Sequence, residues 1–305
     1  MRAWPAIVAL ACAFASLPAF GQAPPGSSRS IASVNVVVEM SDGSAVLDLL
    51  QEDFEVSIDG KVQRIETFST DDSPVTLLLL VDLTRSVSTA LKPDVLLAAI
   101  GSDVVRNLRA GDRVSIGRVE TDPRSWSGFL SDPAAILKAA RTALEIDDER
   151  SVGSSPLWDA TMGALSVLAP ELGRRAVVLV SDGQATGNRH GATDVVSQAL
   201  TSGVTVHAIA QGTDLILFQS PTVAARVRPS AAMQYLADLT GGIFARDQSV
   251  PRRPGLHLGR VVRNIHRSYT IGFEADVVPG ALRVMRVVVR RAGVTVRAPL
   301  RYMGP

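Results

Sequence analysis

The chain has 305 residues, of which 46% are apolar and 20% are charged, a composition that supports a substantial core and excludes global disorder. Its 31 basic and 30 acidic side chains nearly cancel, which excludes bulk electrostatic attraction as a mode of nucleic-acid binding. Cys12 is the single cysteine, so an intrachain disulfide, a thiolate zinc site and a CxxC redox motif are excluded.

The first 21 residues have the features of a secretory signal peptide. Arg2 gives a positive start, residues 7–20 are nearly all apolar, and residues 19–21 form a small-x-small cleavage signal. A membrane anchor is disfavoured because the apolar run is short and interrupted by Pro18, and a lipoprotein signal is disfavoured because Cys12 comes too early. The sequence therefore predicts an exported protein, periplasmic or secreted, that has no membrane span after cleavage. A Pro/Gly/Ser-rich flexible leader is predicted at residues 22–32.

Residues 33–70 are predicted to be rich in β-structure. Apolar and polar side chains alternate through them, and Asp59-Gly60 is a hairpin turn signal. From Pro74 onward the pattern changes, because continuous apolar runs at 75–81 and 176–180 are typical of strands buried on both faces. Further strands are predicted at 114–119, 126–130, 204–210 and 242–245, and helices at 96–108, 132–145, 157–169, 193–201 and 231–239.

The last part of the chain returns to β-structure. A helix is predicted at 256–265, followed by strands at 269–273, 285–289 and 294–300. A few strands with one apolar face are not stable alone, so we expect residues 33–70 and 255–305 to form the two halves of a small β-sandwich. The alternation of strands and helices over residues 73–250 predicts an α/β domain with a doubly wound, mainly parallel sheet, inserted between those halves.

The segment 251–305 is strongly basic, with eleven arginines against the two acids Glu274 and Asp276. A nucleic-acid or anionic-lipid site is disfavoured, because the arginines alternate with valines at strand spacing and no aromatic residues are interleaved. We expect the solvated face of a half-buried sheet, whose charge also suits pairing with the acidic α/β domain.

Oxygen-bearing side chains follow the two fully apolar strands. Asp82, Thr84 and Ser86 come directly after the run at 75–81, Asp182 follows the run at 176–180, and Ser155 lies in a glycine/serine loop between them. Because ligands of parallel α/β sheets bind at the carboxyl ends of the strands, these oxygens are candidates for a Mg²⁺ or Mn²⁺ site. Helix capping is the alternative for each residue alone, but capping does not require all five to converge.

The pattern Asp82-x-Thr84-x-Ser86, followed by Ser155 and Asp182, resembles the metal-ion-dependent adhesion site (MIDAS) of the von Willebrand factor A domain. The wider chain resembles the exported "VWFA-related" proteins frequent in Acidobacteria. That resemblance rests on the flanking segments Glu52-Asp53-Phe54-Glu55-Val56, Asp59-Gly60-Lys61, Leu239-Thr240-Gly241-Gly242 and Tyr269-Thr270-Ile271-Gly272-Phe273.

The resemblance implies roles for the matching positions. The hydroxyls of Thr84, Ser86 and Ser155 would contact the metal, and the carboxylates of Asp82 and Asp182 would act directly or through water. Thr84 stands where the family commonly has serine, and Ser155 stands where it usually has threonine. Both residues keep the hydroxyl oxygen that would bind the metal. Arg85 stands where glycine is frequent, and its guanidinium would either repel the cation or hold a partner's carboxylate.

The function implied is that of a non-enzymatic binding or adhesion protein, which holds an acidic group of a protein partner through Mg²⁺. One alternative is a metal-independent interaction scaffold with a degenerate site. Another is a haloacid-dehalogenase-like Mg²⁺-dependent phosphatase, which also places an aspartate after an apolar strand. It is disfavoured because Thr84 stands where such phosphatases carry a second aspartate, and because no lysine follows Lys138, although Arg175 is a conceivable substitute. Hydrolase and nucleotide-binding loops of the GxSxG, GxxxxGK[ST] and GxGxxG types are not found.

Overall fold

A computed structural model describes most of the chain after its first 28 residues. The described residues are 29–70, 73–84, 87, 91–119, 126–145, 154–211, 216–219, 224–247, 254–276 and 281–303. The predicted signal peptide, residues 22–28 of the predicted leader, and the candidate site residues Arg85 and Ser86 lie outside this part. None of the helices in the described part is long and apolar enough to cross a bilayer.

The elements alternate in type only in the middle of the chain. The strands are β1 (Arg29–Met40), β2 (Phe54–Ile58), β3 (Lys61–Gln63), β4 (Ile65–Ser69), β5 (Val75–Val81), β6 (Arg113–Arg118), β7 (Arg174–Ser181), β8 (Thr205–Gln211), β9 (Ile216–Gln219), β10 (Ala224–Val227), β11 (Phe244–Asp247), β12 (Ser268–Asp276), β13 (Leu282–Val289), β14 (Val294–Arg297) and β15 (Arg301–Met303). The α-helices are α1 (Pro93–Ala99), α2 (Pro133–Leu144), α3 (Leu157–Leu168), α4 (Ala192–Ser202), α5 (Ala231–Thr240) and α6 (Pro254–Ile265).

The central sheet is parallel, with the strand order β11-β8-β7-β5-β6. All residues of β5 are buried because helices cover both faces, and each face has its own apolar cluster. The strand order runs outward from β5 in both directions, so the topological switch point lies between β5 and β7. The predicted fold class, an α/β domain with a doubly wound parallel sheet inserted in a β-sandwich, is confirmed.

The two ends of the chain form the sandwich, in sheets of order β14-β1-β12-β4 and β15-β13-β2-β3. In each sheet strands from both ends of the chain are neighbours: β1 pairs with β12, and β2 pairs with β13. Tyr269 packs in the shared core with ring centroids 4.9 Å from Phe54 and 5.5 Å from Phe68. The flexible leader predicted at 22–32 is wrong for its last four residues, because residues 29–32 pair with the end of β12.

Three predicted elements differ from those observed. At 126–130 there is only an isolated bridge from Val114 to Leu130, and the Trp126 ring lies against Gly117. The strand predicted at 294–300 ends at Arg297 as β14, and after Pro299 the chain enters the other sheet as β15. The helix predicted at 96–108 is α-helical only to Ala99, and continues as a π turn and a 3-10 turn.

One buried carboxylate joins the two connections between the domain and the sandwich. Asp112 Oδ1 accepts a hydrogen bond from Val75 N (2.8 Å), at the start of the domain, and Asp112 Oδ2 lies 2.7 Å from Nε2 of His266, at its end. Burial alone would raise the pKa of Asp112, but hydrogen bonds from His266 and from backbone amides bring it below its usual value. Arg174, also buried, donates to the carbonyl oxygens of Ile265 and Ser268.

The arginines of the basic segment pair mainly with the N-terminal half of the sandwich. Arg260 and Arg297 both contact Glu39, which is 2% exposed and also accepts a hydrogen bond from Asn264. Three further ion pairs are Arg283–Asp59, Arg290–Glu55 and Arg291–Asp48. Among the described residues, these five arginines thus neutralise acids of the sandwich rather than those of the α/β domain.

Candidate metal centre

The candidate site lies at the carboxyl ends of β5 and β7, on either side of the topological switch point. Asp82 is the first residue after β5, and its amide donates to Val180 O in β7 (2.8 Å). Ser181 is the last residue of β7, and Ser155 lies two residues before α3. Three chain segments that are distant in sequence therefore end at one point, as the parallel arrangement dictates.

Asp82 is the centre of this cluster, and its side chain is fully buried. Its Oδ1 accepts hydrogen bonds from Thr84 N (3.0 Å) and Thr84 Oγ1 (2.7 Å). Its Oδ2 accepts hydrogen bonds from Ser155 Oγ (3.0 Å) and Ser181 Oγ (2.7 Å). No cationic side chain pairs with this carboxylate among the described residues, so its charge is balanced there only by neutral donors.

The loop after β7 holds Ser155 in place. Ser155 N donates to Thr186 Oγ1 (2.9 Å), and Thr186 N donates to Ser155 O (2.8 Å). Asn188 caps α3, since its Oδ1 accepts a hydrogen bond from Trp158 N at 2.7 Å. The site thus rests on a loop and a helix terminus that are bound to each other.

A second contact fastens the same loop to α3. The Asp159 carboxylate accepts hydrogen bonds from the backbone amides of Arg189 and His190 and from the His190 ring. Burial alone would raise the pKa of Asp159, but these hydrogen bonds bring it below its usual value. Asp159 therefore stays ionised and keeps the loop attached at neutral pH.

Asp182 lies at the same edge of the sheet, but its carboxylate is engaged locally. Its Oδ1 accepts from Gln184 N (2.9 Å) and its Oδ2 from Gln184 Nε2 (2.8 Å). The turn between them requires glycine: Gly183 has a φ of +82°, and a Cβ there would lie 2.6 Å from Pro229 O. The position of Asp182 is thus fixed by close packing of this turn against the residues before α5.

The chemistry of the cluster fits a small hard cation. The hydroxyls of Thr84 and Ser155 both donate their single proton to Asp82, so what they offer to a further partner is oxygen lone pairs. Ser181 also accepts from Gly183 N at 3.0 Å, which suits it to support Asp82 rather than to ligate. Within the described part no group of three or more His, Cys, Asp or Glu side chains could hold a metal, so a cation here would depend on hydroxyl and water ligands.

The structure brings together three of the predicted residues, Asp82, Thr84 and Ser155. It places the Asp182 carboxylate on Gln184, while Ser86 and Arg85 lie outside the described residues. Sequence reasoning missed four participants: Ser181, Gln184, Thr186 and Asn188. Ser181 could have been recognised from the sequence, because its hydroxyl directly follows an apolar run, just as the Asp82 carboxylate directly follows another. No sequence pattern points to Gln184, Thr186 or Asn188.

No known family profile matches the sequence, and no curated protein matches it. Solved structures do. Proximal thread matrix protein 1 of the mussel byssus, in a structure with a zinc-occupied MIDAS motif, is 14% identical with a TM-score of 0.48, over 68% of this chain and 48% of that one. An aerotolerance-related membrane protein from Bacteroides fragilis is 17% identical with a TM-score of 0.47, over 63% of this chain and 98% of that one.

BatB from Bacteroides thetaiotaomicron is similar to the same extent, with 17% identity and a TM-score of 0.46 over 63% of this chain and 98% of that one. Likeness at this level concerns the course of the backbone. It does not carry a ligand from one protein to another, because function depends on the site rather than on the fold.

Proposed function

We propose that this chain is an exported, non-enzymatic binding protein, periplasmic or secreted, that holds an acidic group of a protein partner through Mg²⁺ or Mn²⁺. The observation that carries the proposal is the Asp82 cluster. A fully buried carboxylate accepts hydrogen bonds from the hydroxyls of Thr84 and Ser181, at two strand ends, and of Ser155, just before α3.

The electrostatics of this cluster support a cation. Neutral donors leave the Asp82 charge uncompensated, and an isolated buried charge is unfavourable unless it is paired. A divalent ion held by Thr84, Ser86 and Ser155, with Asp82 and Asp182 direct or water-bridged, supplies that compensation. Because most of its ligands are neutral hydroxyls, the ion remains electron-poor and keeps exchangeable waters, which a carboxylate of the partner can replace.

Arg85 gives the proposed contact a distinguishing feature. It lies in the sequence between Thr84 and Ser86, two residues that would contact the metal. We propose that it holds the second oxygen of the partner's carboxylate, as arginine does in bidentate pairs. Arg85→Gly then weakens partner binding and leaves Mg²⁺ affinity nearly unchanged, whereas tighter Mg²⁺ binding by this variant would mean that Arg85 repels the cation.

A metal-independent scaffold is the second candidate, and one observation favours it. Both oxygens of Asp182 are already hydrogen-bonded to Gln184, and both oxygens of Asp82 have donors without an ion. A cluster that satisfies itself in this way can persist as a rigid platform for a partner. The two candidates differ in whether partner binding requires a divalent ion.

The burial of Asp82 bears on the phosphatase alternative. A nucleophilic carboxylate must reach the phosphorus atom of its substrate, whereas the Asp82 side chain is 0% exposed and is held by four hydrogen bonds. Thr84 donates to Asp82 instead of standing as an acid beside it. These contacts favour binding over phosphoryl transfer.

The test is capture of a partner from envelope extract by immobilised protein. The mature wild type is compared with Asp82→Asn, and with Asp132→Asn as a matched control, since Asp132 is an exposed cap of α2 and asparagine caps as well. We expect capture in Mg²⁺ by wild type and Asp132→Asn, and loss of it with EDTA or Asp82→Asn. Capture that survives EDTA would support the metal-independent scaffold instead.

A further inference from the structure

A cleft of about 240 Å³ lies between the α/β domain and the sandwich, at the opposite edge of the sheet from Asp82. Its walls come from the amino ends of β7 and β8, from the turn after α4, and from strands β1 and β15. The cleft exists because the domain rests on the sandwich through the amino ends of its strands. It is therefore separate from the candidate metal centre.

The charge of the cleft is one-sided. Arg175 and Arg301 line it, and its described lining contains no aspartate or glutamate. Neither arginine forms an ion pair within the described part of the chain. Arg175 Nη1 donates to Ala169 O (2.9 Å), but its Nε is buried and has no partner among the described residues. Burial lowers the pKa of Arg175, because its charge loses contact with water and no neighbouring acid that the structure describes compensates for that loss.

Two further groups in the lining are suited to donate a hydrogen bond. Tyr302 is buried, and its hydroxyl has no hydrogen-bond partner among the described residues. Burial also raises the pKa of Tyr302, so the hydroxyl keeps its proton. Asn35 accepts from Thr270 Oγ1 through its carbonyl oxygen at 3.2 Å, which leaves its amide group as the remaining donor. Buried donors without acceptors are destabilising unless an acceptor arrives.

We propose that this cleft binds a compact organic monocarboxylate, with its oxygens on Arg175 and Tyr302 and its body along the apolar side of the cleft. That side is formed by Val34, Leu200 and Pro299. A cavity of about 150 Å³ encloses benzene, so the larger cleft has room for a ligand of about ten non-hydrogen atoms. The carboxylate supplies the charge and the acceptors that the lining does not contain.

The probe for this proposal is benzoate, compared with benzamide, a neutral ligand of the same shape, and with inorganic phosphate, an anion without a body. Binding is measured by titration calorimetry on the mature full-length protein, at constant ionic strength and in EDTA. The EDTA removes the metal-dependent site, which would otherwise also take a carboxylate. The variant Asp82→Asn provides a second background in which only the cleft can respond.

We expect saturable benzoate binding, about tenfold or more tighter than that of benzamide and phosphate, because hydrogen bonds to a charged partner contribute about that factor or more. Arg175→Gln, and Tyr302→Phe, which keeps the ring, should each weaken benzoate binding about tenfold. The matched control is Arg286→Gln, which removes the same charge from an exposed position on β13 and should change nothing.

The proposal is overturned if wild type binds benzoate no better than benzamide, or if phosphate binds equally well. Unchanged benzoate affinity in Arg175→Gln would also overturn it. If Arg175→Gln does not fold, Arg301→Gln and Tyr302→Phe decide the matter, because retention of full affinity in both refutes the assignment of the site.

Discussion

Replacing Asp82 by asparagine tests the metal centre with almost no change in side-chain volume. The amide keeps one oxygen, which can still accept from Thr84, but it places an NH₂ group where Oδ2 now accepts from Ser155 and Ser181. The serine hydroxyls must then turn their lone pairs toward the amide. The variant therefore loses the charge and redirects the ligand oxygens.

The expected magnitudes follow from these contacts. Without metal the variant should be about 1–3 kcal/mol less stable, since strained hydrogen bonds in a buried site are only partly offset by the removal of a buried charge. For wild type, a Mg²⁺ concentration of about 100 Kd should add about 2.7 kcal/mol by mass action. For a chain of this size that corresponds to a rise in melting temperature of about 4–5 °C.

The assay is a series of thermal melts across a Mg²⁺ titration, repeated with Mn²⁺, on wild type, Asp82→Asn and the exposed control Asp132→Asn. Wild type and the control should show the rise, and Asp82→Asn should show none. A wild-type melting temperature that does not respond to either ion at ~20 mM, well above the affinity range of sensor-type sites, would refute the metal centre. A full response by Asp82→Asn would refute the role given to this carboxylate.

Three further predictions concern single contacts. Gly183→Ala should lower the free energy of unfolding in denaturant titrations by about 2–4 kcal/mol, since φ is +82° and the new Cβ meets Pro229 O at 2.6 Å. The control Gly293→Ala has a φ of +75° and open space around the new Cβ, so it should lower that free energy by only about 1 kcal/mol. Equal losses in the two variants would exclude the contact with Pro229 as the cause. Thr84→Val should abolish the Mg²⁺-dependent rise in melting temperature while Thr84→Ser retains it, and a response in the valine variant would remove this hydroxyl from the site. Burial alone would raise the pKa of Glu39, but its hydrogen bonds lower that pKa from 4.5. The stability that Glu39 contributes is therefore present above pH 4.5 and is lost as the pH falls through the lower pKa of the folded state. Glu39→Gln should lose stability less steeply in acid than wild type, and parallel plots of unfolding free energy against pH would contradict this.

The fold could be predicted from the sequence where one periodicity dominates. The apolar run of β5 predicts a strand covered on both faces, and β5 is buried throughout. The prediction failed where contacts with other strands decide the pairing: at 126–130 only an isolated bridge to Val114 forms, and the chain changes sheets around Pro299. Such contacts join residues whose proximity is set by the fold and not by local pattern.

The candidate site divides in the same way. Asp82 and Ser155 are 73 positions apart, yet their meeting follows from two strand ends at one edge of a parallel sheet. The partners that hold Ser155 could not be predicted, because Thr186 belongs to a loop after β7 that has no regular periodicity. Asp182 shows the limit of a motif, since its neighbour Gln184 takes both of its oxygens.

The position of Asp112 has a mechanical consequence. A force applied at the carboxyl edge of the sheet, as the proposed partner would apply it, acts on the α/β domain from the side opposite to the sandwich, so the tension would pass through the two connecting segments. Because Asp112 accepts a hydrogen bond from Val75 on one segment and contacts His266 on the other, separating either segment breaks a contact with Asp112. The two segments would then bear the force together, because each is bonded to Asp112.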